Sequence, residues 1–168
     1  MDKFKVYFRR MLEAFPKASF LATSLPYGRY FWSRTAPDEL TPTERAIEDF
    51  IAAGGEFSRL FFVDDGDLRN SEVLSTLRNQ RRIGVRVLVG DSARVPARLQ
   101  EFFVVDADAA IGWKIDLTPR QTITNFRFTI DRTKLRRYHD RFLELLEHPA
   151  VGEWTDDQPA GPNVSAGT

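Results

Sequence analysis

The sequence predicts an α/β protein, a mixed β-sheet of about six or seven strands with helices on both faces. Three observations point there. Short apolar runs rich in Val, Ile and Phe alternate with amphipathic segments of helical period along most of the 168 residues. Two of the amphipathic segments end in Gly and run straight into a strand, at Gly54-Gly55 before FSRLFFV and at Gly84 before VRVLV. Strand, helix, strand in that order makes the right-handed parallel crossover the natural unit.

The elements follow in order. Over 3–15, Phe4, Phe8, Met11, Leu12 and Phe15 recur at helical spacing, Arg9, Arg10 and Glu13 fill the opposite side, and Pro16 ends the helix. ASFLATSL (18–25) is a short apolar run that suits a buried strand, broken by Pro26-Tyr27-Gly28. Tyr30-Phe31-Trp32 then sits between Arg29 and Arg34 in a loop-like stretch. Thr41-Pro42-Thr43-Glu44 carries the N-cap, first-turn proline and capping-box glutamate of a helix start, and Ala46, Ile47, Phe50 and Ile51 form its buried stripe. Strand FSRLFFV (57–63) ends in the acidic turn Asp64-Asp65-Gly66-Asp67. A helix from Asn70 or Ser71 to Gly84 buries Val73, Leu74 and Leu77, and strand VRVLV (85–89) follows. Residues 91–101 read as a loop or short helix around Pro96. Strands are expected at 102–106, 110–116 and 122–130, the last placing Phe126, Phe128 and Ile130 on one side. Asp131 caps a final helix with Leu135, Tyr138, Phe142, Leu145 and Leu146 inward, stopped by Pro149. Residues 1–149 read as one domain, and 150–168, rich in Pro, Gly, Asp and Ser, as a disordered tail.

Composition narrows the chemistry. Lys+Arg and Asp+Glu are both 24, so no bulk field recruits nucleic acid, which is not the expected partner. Nineteen of the basic residues are Arg, a bias that fits genome composition or bidentate holding of phosphate and carboxylate. Cysteine is absent, which removes disulfides, thiol nucleophiles and Cys-based metal sites. No apolar run approaches the roughly 20 residues that span a bilayer, and no leader-like apolar stretch follows the charged N-terminus. The expectation is a cytoplasmic protein without a membrane role.

No constellation for catalysis stands out. His139 and His148 lie nine positions apart on or beside one helix, on opposite sides of its axis, so they cannot share an ion. Gly54-Gly55 precedes a strand, where a phosphate cradle would precede a helix. Asp64, Asp65 and Asp67, and again Asp106 and Asp108, cluster after strand ends, where turn chemistry explains them as well as Mg²⁺ binding does. The readings are therefore: no catalytic residues, no metal and no cofactor.

The run Phe102-Phe103-Val104-Val105-Asp106, a short acidic turn and then Gly112-Trp113 resembles the second half of the phospholipase D signature, His-x-Lys-x4-Asp followed by Gly-Ser. Leu99 stands at the His position, Glu101 at the Lys position and Trp113 at the Ser position; only Asp106 matches. The similarity covers roughly residues 18–147 through the order of its helix-Gly-strand units. It implies a phospholipase D-like fold of the degenerate, non-catalytic kind found in bacterial sensory and regulatory proteins, and a homodimer. The departures argue against the family's activity, because Leu99 is no nucleophile and Glu101 would repel a phosphate.

Three functions follow as expectations. The first is a non-enzymatic ligand-sensing or partner-binding domain whose ligand, a small anion or nucleotide-like molecule, sits beyond the carboxyl ends of the strands. Thr23, Ser24, Arg29, Tyr30, Trp32 and Asp64 are its candidate residues, with Arg59, Asp106, Trp113, Asn125 and Arg127 further out. The second is a phosphodiesterase or nuclease with a rearranged site using His139 or His148. The third is a structural interaction module.

Overall fold

The structure, a computed structural model, describes residues 2–24, 39–117 and 123–156, with backbone alone for 2–5, 115–117 and 123–126. Among these residues four α-helices and seven strands run in the order α1 (Asp2–Ala14), β1 (Ser19–Ser24), α2 (Pro42–Ala52), β2 (Glu56–Val63), α3 (Ser71–Arg82), β3 (Arg86–Asp91), β4 (Phe102–Asp106), β5 (Gly112–Leu117), β6 (Ile123–Thr129), α4 (Arg132–Leu146) and β7 (Val151–Glu153). The strands form one mixed sheet in the order β6-β5-β4-β1-β2-β3-β7. β1, β2 and β3 are parallel, and every other pairing is antiparallel.

Both parallel connections are the helix-Gly-strand units seen in the sequence. Gly54 and Gly84 take φ of +97° and +91°, the left-handed stop that lets each helix turn into the next strand. Helix α2 starts as its sequence predicts: the Thr41 hydroxyl accepts from Glu44 N, and the Glu44 carboxylate accepts from Thr41 N.

Two apolar layers sandwich the sheet. One gathers Phe8, Met11 and Leu12 of α1, Ile47 and Phe50 of α2 and Leu77 of α3 onto Phe20, Ala22, Phe57, Phe61, Val87, Val104 and Trp113. The other packs Leu135, Tyr138, Phe142 and Leu145 of α4, with Leu99, onto Leu60, Phe62, Leu88, Phe103 and Val105. Helices therefore cover both faces, as expected. β2 contributes to both layers by alternation, Phe57, Arg59, Phe61 and Val63 facing one way, Leu60 and Phe62 the other.

The boundary at Pro149 is corrected. Residues 151–153 add an antiparallel edge strand to β3, and Trp154, only 6% exposed, donates its backbone N–H to Val87 O. Pairing with the β3 edge and burial of Trp154 in the apolar layer hold this segment, where its Pro- and Gly-rich surroundings predict disorder. Asp156 then meets Arg78 and Arg81 of α3. Among the described residues no helix is long and apolar enough to cross a membrane.

Candidate functional site

The site region is the carboxyl end of β1, where the sheet changes from parallel to antiparallel. β1 pairs with β4 as far as Ala22↔Val104. At the next residue the Thr23 side chain takes over the pairing: its hydroxyl accepts from Phe103 N (3.1 Å) and donates to the Glu101 carbonyl. Ser24 follows on the opposite face, on the side of Phe20 and Ala22. The residue is 1% exposed, its hydroxyl is buried, and no hydrogen-bond partner meets it among the described residues. An unmet buried hydroxyl costs about 1–3 kcal/mol.

On the α4 side of this strand end lies a charge cluster. Glu101, at the entry to β4, accepts through one carboxylate oxygen from Lys114 Nζ of β5 (2.8 Å) and through the other from Arg141 Nη1 of α4. All three side chains are about a quarter exposed or less. Lys114 is the direct cross-strand partner of Arg127 on β6, so two cations share one face of the ladder.

Beneath α2 and α3 runs a second polar arrangement. Arg59, in the middle of β2, is 4% exposed and points among aromatic rings, its Cζ 5.0 Å from the Phe57 centroid and 6.0 Å from that of Phe61. Its Nη1 donates to Gln80 Oε1 (2.9 Å), Gln80 Nε2 donates to Glu44 Oε1 (3.1 Å), and Glu44 Oε2 accepts from Thr41 N (2.8 Å). A chain of bonds thus links the sheet centre to the first turn of α2. Burial lowers the Arg59 guanidinium to about 10, against the opposing pull of Glu44.

The other candidates are placed as follows. Asp64 and Asp67 cap each other's backbone N–H (2.8 and 3.0 Å), closing the turn after β2. Asp106 Oδ1 accepts from Ala110 N (2.8 Å) and Ile111 N (2.9 Å), holding the β4–β5 turn, in which Ala109 takes φ of +51°. Trp113 is in the core, edge-on to Phe8 and tilted on Phe102. Asn125 lies opposite Asp116 in the β5–β6 ladder, and Arg127 is exposed two residues on. Arg29, Tyr30 and Trp32 lie outside the described residues. Thr23 thus meets the Glu101 carbonyl while the Glu101 side chain meets Lys114 and Arg141, and Arg59 and Asp106 stand apart among other contacts.

His139 Nδ1 stands 3.3 Å from the carboxylate of its neighbour Asp140 on the surface of α4, and His148 Nδ1 accepts from Ala150 N (3.1 Å). Among the described residues no group of three or more His, Cys, Asp or Glu is placed to hold a metal ion. Nothing in the sequence marks Lys114, Arg141 or Gln80 as partners in these clusters. Partners 40 residues apart, such as Glu101 and Arg141, share no local pattern that would announce them. Glu44 carried a signal, since its capping-box role places it against the helix start, but nothing in the sequence marks it as buried.

Comparison with family models and with curated proteins gives no match for this chain.

Proposed function

We propose that this protein is a non-enzymatic ligand-sensing or partner-binding domain on a degenerate phospholipase D-like fold, with its ligand at the carboxyl end of β1. The observation that carries the reading is the Ser24 hydroxyl, buried and unmet at the strand end where open α/β sheets bind ligands. A ligand that supplies its hydrogen bond recovers what burial cost. The resemblance around Asp106 supports the fold type, and the Leu99 and Glu101 departures support a binding role over phosphodiester chemistry.

The test combines Ser24→Ala with a thermal-shift screen of nucleotides and phosphorylated metabolites. Without ligand, the alanine variant is expected to melt at or above the native temperature, because an unmet hydroxyl has gone. With ligand, its stabilisation should fall below the roughly 2.7 kcal/mol that a ligand at 100 times Kd confers. No stabilisation by any ligand at millimolar concentration would sink the reading.

A homodimer belongs to the same proposal. Exposed Val6, Tyr7, Phe128 and Ile130 lie on α1 and along or just beyond the edge strand β6, with Tyr7 edge-on to Phe128 (5.6 Å), and this apolar edge supports self-association. Light scattering should then return twice the chain mass of 19.3 kDa.

A further inference from the structure

We infer that the outer face of α4 is a self-docking surface, against which a second copy of this chain packs its own α4 antiparallel. The contact goes beyond the role proposed above. It is electrostatic, and it uses neither Ser24 nor the β6 edge.

The order of charges along the helix argues first. Leu135, Tyr138, Phe142 and Leu145 point into the core, so at about 100° per residue Arg136, Arg137, Asp140, Glu144 and Glu147 line the opposite side, and all five are exposed. The helix has no acid in its first turn and no base in its last. Both placements oppose the helix dipole, which favours anions at the start and cations at the end. The spacing is adverse as well. Arg132 and Arg136 are like charges four residues apart, as are Asp140 and Glu144, and Arg136 precedes Asp140 in the weaker order of such a pair. Alone, α4 gains nothing from this order. An antiparallel copy related by a two-fold axis at Asp140 sets Arg137 against Glu144 and Arg136 against Glu147 across the pair. A parallel copy would set like against like.

The bonding of these side chains argues second. Arg136 and Glu147 reach no ion partner among the described residues, and Arg137 lies over the Tyr138 ring with its Cζ 5.6 Å from the centroid. Glu144 meets Arg98 at 2.9 Å in an exposed pair, which leaves its carboxylate further acceptor capacity. Shape argues third. Leu143, 44% exposed, adds an apolar point beside the charges, and an open depression of about 420 Å³ among Arg137, Asp140, Arg141 and Glu144 can seat long side chains of the other helix. The helix runs 15 residues, about 22 Å, and one helix pair buries less than the roughly 800 Å² per partner of a standard interface. The contact is therefore weak and sensitive to salt.

The experiment is sedimentation equilibrium of the full chain over a concentration series, at about 10 mM and about 1 M salt. The mass at high salt sets the baseline, because salt does not screen apolar association at β6. At low salt the mass should rise above that baseline with concentration. Arg136→Glu with Arg137→Glu should lower the association constant at least about ten-fold. Adding Glu144→Arg and Glu147→Arg to the same chain restores opposite charges across the pair and the native net charge, and it should bring the constant back to within about three-fold of native. Asp140 stands opposite its own copy, so Asp140→Asn should tighten the contact about two-fold or more. Masses that coincide at the two salt concentrations would overturn the inference. So would a folded four-fold variant that stays at the baseline, or an Asp140→Asn variant weaker than native. Heparin binding by a native chain whose mass never leaves the baseline would assign the face to a polyanionic partner and overturn the self-contact.

Discussion

Arg59 shows how a single buried charge constrains its surroundings. In the middle of β2 its guanidinium is held by Gln80 and drawn by Glu44, with Phe57 and Phe61 on either side. Removing one member of such a set leaves an uncompensated charge in the core, so Glu44→Leu should destabilise the protein by about 3–5 kcal/mol in urea unfolding. The double variant Glu44→Leu with Arg59→Met removes both charges, and it should be far less destabilised than the sum of the single variants. The pH dependence has a definite sign. The Arg59 value of about 10 in the folded state lies below the ordinary guanidinium value, so the unfolded chain holds this proton more tightly. Burial of the cation therefore costs stability at every pH below about 10, with relief only as pH rises from there towards the unfolded value. The Arg59 contribution to urea unfolding free energy should accordingly be flat from weakly acid to weakly alkaline pH.

At the scale of elements, the turns and helix starts carry the local energetics. Thr41→Ala removes one side of the capping box and should cost about 1 kcal/mol, with faster amide exchange confined to the first turn of α2. Gly112 opens β5 directly under α4: a Cβ there would stand 2.6 Å from Leu135 Cδ2 and 2.7 Å from the Val104 carbonyl oxygen. Gly112→Ala should therefore destabilise by about 1–3 kcal/mol, with chemical-shift changes centred on Leu135, because backbone on one side cannot yield. Asp106, in the same hairpin, earns its burial by binding two turn amides, a role that needs no catalytic partner.

For the whole molecule, the last strand tests how far the domain extends. A chain ending at Pro149 loses β7 and the Trp154 side chain, exposes the outer edge of β3 and leaves Asp91 N without the Ala150 carbonyl. It should unfold at least about 3 kcal/mol more easily than the full chain, as Trp-to-Ala truncations in cores do, and scanning calorimetry reads the difference. The two sheet edges also differ in kind. The β7 edge is three residues long, whereas β6 is seven residues long, carries exposed Phe128 and is followed by exposed Ile130. Short edges resist further pairing, so the proposed self-association is expected at β6.

Much of this fold was legible in the sequence, because its signals are local. Helix periodicity, the Thr41 capping box, the glycine stops at 54 and 84 and the alternation in β2 each act within a few residues, and the α/β class with helices on both faces follows from their order. The candidate site was legible only in part. Thr23 and Ser24 stand at a strand end that the sequence itself marks, yet what they meet depends on strand order, and an order of β4-β1-β2-β3 cannot be read from any one segment. The same holds for the tail, where three residues become a strand because β3 offers an unpaired edge. Local chemistry determined the elements of this protein; only tertiary structure decided that Glu101 would meet Lys114 and Arg141, because side chains so far apart in sequence are joined by packing alone.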